Sequence, residues 1–136
     1  MAKIKVLIPL DGSEKSMHSI AWIKKYFGKE AAEVTLLNVI VTFLSSEISV
    51  EKNIKAEEKE SAELLDKAAK ELEGYVVEKK FIYGFAPDAI TDAAKEGGFD
   101  MIVMTRSTVT GFARIIGSVT NKVVRNSEVS VVVVPD

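Results

Sequence analysis

The feature that most constrains the fold of this chain is an alternation of short apolar runs with segments of helical periodicity. Nearly continuous apolar runs of about four to eight residues are typical of strands buried on both faces of a sheet. Five strand-like segments occur, with the apolar cores VLI (6–8), VTLLNVIV (34–41), VVEKKFI (76–82), MIVM (101–104) and VSVVVV (129–134). Their alternation with helical segments predicts an α/β fold, an open five-stranded parallel sheet with helices on both faces. The third segment contains Glu78-Lys79-Lys80, which favours an edge strand.

Cap and stop residues indicate where the predicted elements begin and end. Pro9 is expected to end the first strand, and Ser13 is expected to cap the helix that follows. Ser118 is expected to cap the last helix, which runs to Asn126. In the second helix a narrow apolar stripe is expected to face the core, formed by Ala62, Leu65, Ala69 and Leu72.

Length and composition limit the class of protein. The 136 residues suit one domain, 1–136. A formal net charge of −2, without a Lys/Arg-rich run, argues against a nucleic-acid partner. With no cysteine and the single histidine His18, no metal site is predicted. Because no segment has the length of a signal-peptide core or a membrane span, we expect a cytoplasmic protein without a membrane partner.

Polar segments after the first and fourth strands indicate where a ligand would bind. In open parallel sheets, ligands bind at the carboxyl ends of the strands where the strand order reverses. Asp11 follows the first strand, and the segment from Thr105 to Ser118 leads from the fourth strand into a helix whose N-terminus favours anions. The alternative interpretations are a long βα loop and a plain Asx-type turn at Asp11.

Known phosphate-binding and catalytic motifs are missing from the sequence. Neither GxxxxGK[ST] nor GxGxxG occurs. The third predicted strand ends at Tyr83-Gly84 rather than at the phosphoacceptor aspartate of a receiver domain. No carboxylate pair and no nucleophile beside a base is present. The sequence therefore gives no indication of catalysis.

Three segments resemble the universal stress protein family. They are VLIPLDGSEKSMHSIAWI near the start, LLNVI in the second strand and FDMIVMTRSTVTGFARIIGSVTNKVVRNSEVSVVVVP at the end. The resemblance implies an adenine-nucleotide alpha hydrolase-like sheet of strand order 3-2-1-4-5, with its switch point between strands one and four. It also implies a homodimer formed through the last strand, from Val129 to Val134, whose β-branched and nearly uncharged edge invites pairing.

The same resemblance implies a site for ATP or another adenine nucleotide. Family members that bind ATP carry GxxGx9G[ST] after strand four, an Asp at the end of strand one and a Val in strand two. Asp11, Val39 and Gly117-Ser118 match this pattern, while Thr105 and Thr108 replace the two leading glycines and the spacer to Gly117 is one residue short. The expected site residues are Pro9, Leu10, Asp11, Val39, Met104, Thr105, Thr108, Gly117, Ser118 and Val119.

The two threonines change what the implied site is expected to hold. Glycine lets backbone approach phosphates closely, whereas β-branched threonine restricts that approach. Arg106 or Arg114 are candidates to supply positive charge instead. We therefore expect a non-catalytic, stress-response regulatory dimer with a partly degraded nucleotide pocket and an unidentified regulatory protein partner. The alternative is an ATP-binding switch, with or without slow ATP hydrolysis. An unrecognised enzyme is disfavoured because the sequence lacks catalytic groups.

Overall fold

Five parallel strands form a single sheet, and their order is the 3-2-1-4-5 order that the family resemblance implies. The computed structural model describes residues 2–41, 47–106 and 116–135. The strands are β1 (Ile4–Leu10), β2 (Ala32–Ile40), β3 (Val76–Tyr83), β4 (Met101–Thr105) and β5 (Ser130–Val134). Because β1 lies between β2 and β4, the strand order reverses beside it.

Four helices connect these strands and cover the sheet on both faces. They are α1 (His18–Tyr26), α2 (Glu47–Lys70), α3 (Ala86–Glu96) and α4 (Ser118–Asn126). Val6 and Ile8 of β1 pack in a core cluster with residues of α1 and α2, whereas Leu7 packs with residues of α3 and α4. The alternating side chains of β1 thus separate two hydrophobic layers. Across the described residues, no helix combines the length and apolar character needed to cross a membrane.

Pro9 does not end β1, contrary to the prediction, because the strand continues to Leu10. The carbonyl of Lys5 accepts a hydrogen bond from the Asp100 N–H (2.8 Å), so odd-numbered residues of β1 direct their backbone groups toward β4. The missing N–H of Pro9 therefore lies on the β4 side. Accordingly, β1 pairs with β2 as far as Leu10, while its registered pairing with β4 stops at Leu7.

Two helix predictions also need correction. The first helical segment starts with a 3-10 turn, Lys15–Met17, rather than with the α-helix that Ser13 was expected to cap. The Ser13 hydroxyl accepts a hydrogen bond from the Ser16 N–H (3.2 Å) in this turn. On α2 the buried stripe lies one residue away from the predicted positions at two places: Ala62 is exposed, and Ala69 is only partly buried. The buried face consists of Ser61, Leu65 and Ala68, and Leu72 continues it just beyond the end of the helix at Lys70. Alanines occur on several faces of this helix, so their spacing alone did not fix the stripe.

The prediction that β3 is an edge strand is confirmed, and polar contacts attach it to α2. Lys79 forms an ion pair with Asp66 at 2.7 Å. Nearby, the Tyr83 hydroxyl donates a hydrogen bond to Glu58. This hydrogen bond, with smaller contributions from desolvation and from the charges of Glu58 and Glu57, raises the pKa of Tyr83 to about 12. An acceptor carboxylate stabilises the protonated phenol, so its proton is lost only at higher pH.

This contact predicts an unusual titration of Tyr83. In an NMR titration of the tyrosine ring carbons, assigned with Tyr83→Phe, we expect Tyr83 to titrate near pH 12 rather than near its ordinary value of about 10. Glu58→Gln should move the pKa down toward the ordinary value because it removes the charge beside the phenol. Glu71→Gln, on an exposed residue just beyond α2, is the matched control. A Tyr83 pKa that is the same in native protein and Glu58→Gln would contradict the contact.

Candidate functional site

A cavity of about 140 Å³ opens at the carboxyl ends of β1, β2 and β4, beside the first turn of α4. It lies at the strand-order reversal, where open parallel sheets bind ligands. The structure brings nine of the ten predicted site residues to its wall: Pro9, Leu10, Asp11, Val39, Met104, Thr105, Gly117, Ser118 and Val119. The tenth, Thr108, lies outside the described residues. That these side chains bind a ligand stays a prediction.

Four further residues line the cavity that the sequence reasoning did not single out: Ser16, Leu37, Ile90 and Thr120. Leu37 precedes Val39 by two residues on the same face of β2, so strand periodicity could have identified it. Thr120 lies in the same helical turn as Ser118. Ile90 belongs to the buried face of α3, and no sequence signal distinguishes it from other core residues of that helix.

Asp11 is held at the rim of the cavity by a tight polar turn. Its Oδ1 accepts hydrogen bonds from both the N–H (2.9 Å) and the hydroxyl (2.6 Å) of Ser13. Gly12 between them adopts φ +92°, a conformation that glycine accepts without strain. The Asx-type turn and the ligand-site interpretation are therefore compatible, because the turn engages one carboxylate oxygen and leaves Oδ2 uncommitted in the described structure.

The end of β1 is also fixed from the β2 side. The side-chain amide of Asn38 donates a hydrogen bond to the Leu10 carbonyl at 2.7 Å. On the opposite side, Pro9 presents no backbone donor to β4. The end of β1 is thus hydrogen-bonded to β2, whereas its registered pairing with β4 does not extend to this end of the strand.

The first turn of α4 forms the opposite wall, and here one prediction is wrong. The N-cap residue is Gly117, and Ser118 is the first residue of the helix. Gly117 has no side chain that could cap this helix, and no described residue caps it instead, so the N–H groups of Ser118, Val119 and Thr120, which have no partner within a helix, remain available at the cavity wall. An uncapped N-terminus of this kind attracts an anion through its dipole.

Two hydrogen bonds join the end of β4 to the start of α4. The Thr120 hydroxyl donates to the carbonyl of Thr105 at 2.9 Å, and both residues are buried. The Gly117 N–H donates to the carbonyl of Arg106, also at 2.9 Å. The Gly117 N–H is consequently committed within the protein, although its residue matches the nucleotide pattern.

The charge of the cavity wall is low. Among the described residues that line it, Asp11 is the only ionisable one. Within the same part of the chain, no group of three or more His, Cys, Asp or Glu residues could hold a metal ion. The arrangement can accept hydrogen bonds at Asp11, donate them at α4 and bury an apolar ring between these two ends.

Comparison with known proteins identifies relatives of this chain that share its fold. The model of the universal stress protein family matches residues 4–135. Universal stress protein MJ0531 of Methanocaldococcus jannaschii is 32% identical over 138 residues, which cover 96% of this chain and 81% of the relative. The solved structure of hypothetical protein MJ0577 has a TM-score of 0.80 and 32% identity, covering 98% of this chain and 96% of that one.

Two more distant solved structures share the fold and contain nucleotides. A universal stress protein in complex with cAMP has a TM-score of 0.74 at 20% identity, covering 98% of both chains. A universal stress protein family protein from Arabidopsis thaliana with AMP bound has a TM-score of 0.76 at 17% identity, covering 96% of this chain and 90% of that one. On the family match to 4–135 and the 32% identity of its relative, this chain belongs to the universal stress protein family.

Proposed function

We propose that this protein is a non-catalytic regulatory protein of the stress response that binds an adenine nucleotide in the cavity beside β1. The observation that carries the proposal is the position of two complementary groups on opposite walls of one cavity, the free oxygen of Asp11 and the uncapped N-terminus of α4. Solved relatives of the same fold hold AMP and cAMP. Those ligands combine a hydrogen-bond donor, an apolar ring and an anion.

The site residues fit the parts of such a ligand. Leu37 and Val39 of β2 offer an apolar surface for the purine ring. Asp11 Oδ2 is placed to accept a hydrogen bond from an amino group or a ribose hydroxyl. The N–H groups at the start of α4 and the Ser118 hydroxyl are placed to donate to phosphate oxygens.

The groups at the wall support a binding role without catalysis. Among the described lining residues, Asp11 has no second ionisable group beside it that could act as a partner acid, base or nucleophile. The ligand would then act by changing which surface is presented to a regulatory partner in the cytoplasm. The second candidate is an ATP switch with slow hydrolysis. The anion-attracting end of α4 supports it, and measurable ATP turnover would distinguish it from the first candidate.

Asp11→Asn tests the binding role without removing the turn. Asparagine keeps the Oδ1 acceptor for Ser13 and converts the ligand-facing oxygen into a donor. We expect AMP affinity, measured by isothermal titration calorimetry, to fall by about 1–3 kcal/mol, since a buried donor of the ligand loses its acceptor. Asp92→Asn on an exposed part of α3 is the control and should bind normally. Equal AMP affinity in Asp11→Asn and native protein would argue against this role of Asp11.

We also propose that two copies of the chain pair through β5. This strand lies at one end of the sheet order, and its five residues are in register with β4 on one side. Four of the five are valine, and no lysine or proline interrupts them. An edge with this composition favours pairing with another strand, which would give a two-fold dimer.

The direction of the backbone groups provides a sharp test of this dimer. The Val134 carbonyl accepts a hydrogen bond from Arg106 N–H (3.1 Å), so Val132 and Val134 direct their backbone groups to β4 and Val131 and Val133 direct theirs to the free edge. Val131→Pro should give a folded monomer by light scattering at micromolar concentration, because it removes an outward donor. Val132→Pro, the matched control, should instead reduce the melting temperature by breaking the β4 ladder. A native protein that is monomeric at this concentration would refute the dimer.

A further inference from the structure

The cavity wall is unusual for a polyphosphate site because its described residues supply no positive side-chain charge. The lining residues of the described structure are apolar or carry hydroxyl groups, apart from the carboxylate of Asp11. No lysine or arginine of the described ranges 2–41, 47–106 and 116–135 lines it. A ligand with several phosphates would therefore bring several negative charges to a wall that carries one of its own.

Three polar groups of the residues that line the cavity are already engaged within the protein. The Thr120 hydroxyl donates to Thr105, the Gly117 N–H donates to Arg106, and the Ser16 hydroxyl donates to the Ser13 carbonyl at 2.8 Å. What remains is the Ser118 hydroxyl and the first N–H groups of α4. These donors occupy one helical turn, so they suit a single anionic group.

The shape of the wall at β4 limits phosphate binding in the same way. Thr105 is 6% exposed, its carbonyl is committed to Thr120, and its β-branched side chain occupies the cavity wall. A helix N-terminus contributes the equivalent of roughly half a positive charge. That compensates part of one phosphate and leaves a second and a third phosphate without a partner among the described residues, and unpaired charges are costly to remove from water.

We propose that this cavity selects adenosine compounds with no more than one phosphate, and that ATP is a poor ligand. The inference rests on the proposed function, since it names the class of adenine compound that the same site takes. Adenosine uses the apolar wall and Asp11. A single phosphate, open as in AMP or cyclic as in cAMP, adds the contact with α4. The β- and γ-phosphates of ATP add charge and no contact.

The test is a calorimetric series on the native full chain with adenosine, AMP, cAMP, ADP and ATP, each with and without magnesium. We expect adenosine and the two monophosphates to bind within about threefold of one another and ATP at least about tenfold more weakly than AMP. ATP binding more tightly than AMP overturns the selectivity and leaves the proposed nucleotide site intact. If none of the five compounds binds, the proposed function fails and the selectivity fails with it.

A charge-insertion pair tests the electrostatic cause directly. Ser118→Lys places a cation at the exposed first residue of α4, on the cavity wall, whereas Asn121→Lys places it on an exposed residue of the same helix that does not line the cavity. We expect Ser118→Lys to improve ATP relative to adenosine by about tenfold and Asn121→Lys to change the ratio by less than about twofold. An unchanged ratio in Ser118→Lys overturns the proposed cause.

Arg114 lies outside the described residues, so a third experiment tests whether its charge contributes to the site. Under the proposal, Arg114→Ala leaves the ratio of ATP to AMP affinity unchanged within about twofold. A native preference for ATP that disappears in Arg114→Ala overturns the proposal and assigns the compensating charge to that residue.

Discussion

The backbone of β1 at Pro9 is the constraint on which the rest of the structure depends. A proline has no N–H, and the alternation of backbone groups along β1 places this missing donor on the side of β4. The ladder to β2 continues to Leu10, where Asn38 adds a side-chain hydrogen bond. The central strand is therefore firmly held on one side and released on the other. The cavity lies at this end of the strand, where the strand order reverses, and residues of both β2 and β4 line it.

The two walls of the cavity are built by different means, and this difference underlies the ligand class that we propose. At Asp11 a turn of three residues engages one carboxylate oxygen and leaves the second uncommitted in the described structure. At α4 the Thr120 hydroxyl and the Gly117 N–H close the junction with β4. The acceptor end is thus well prepared, whereas the donor end is limited to one helical turn. This asymmetry is the structural basis for assigning a nucleoside-like ligand with little charge.

The sheet edges differ in a related way. β3 carries charged residues, and polar contacts with α2 engage two of its side chains, Lys79 and Tyr83. At the other edge, β5 presents valines and directs the backbone groups of Val131 and Val133 away from β4. Charged edges discourage pairing and uncharged β-branched edges favour it. The charged residues of β3 suit contact with solvent, whereas the composition of β5 supports the self-association that we propose.

The sequence by itself determined the element order, because apolar periodicity is a local property of the chain, whereas the strand order and the site residues came from the resemblance of its motifs to a family. It placed Asp11, Val39 and Gly117 correctly at one end of the sheet, but it misassigned Pro9 as a strand end and Ser118 as a cap. Those errors share a cause: a local signal shows that a residue lacks a donor or offers an oxygen, whereas its neighbours decide which direction that group faces. Ile90 joined the wall only because α3 packs across the sheet. Only the tertiary structure decided which charged residues line the cavity. Arg106 is close to the site in sequence and yet does not line the cavity.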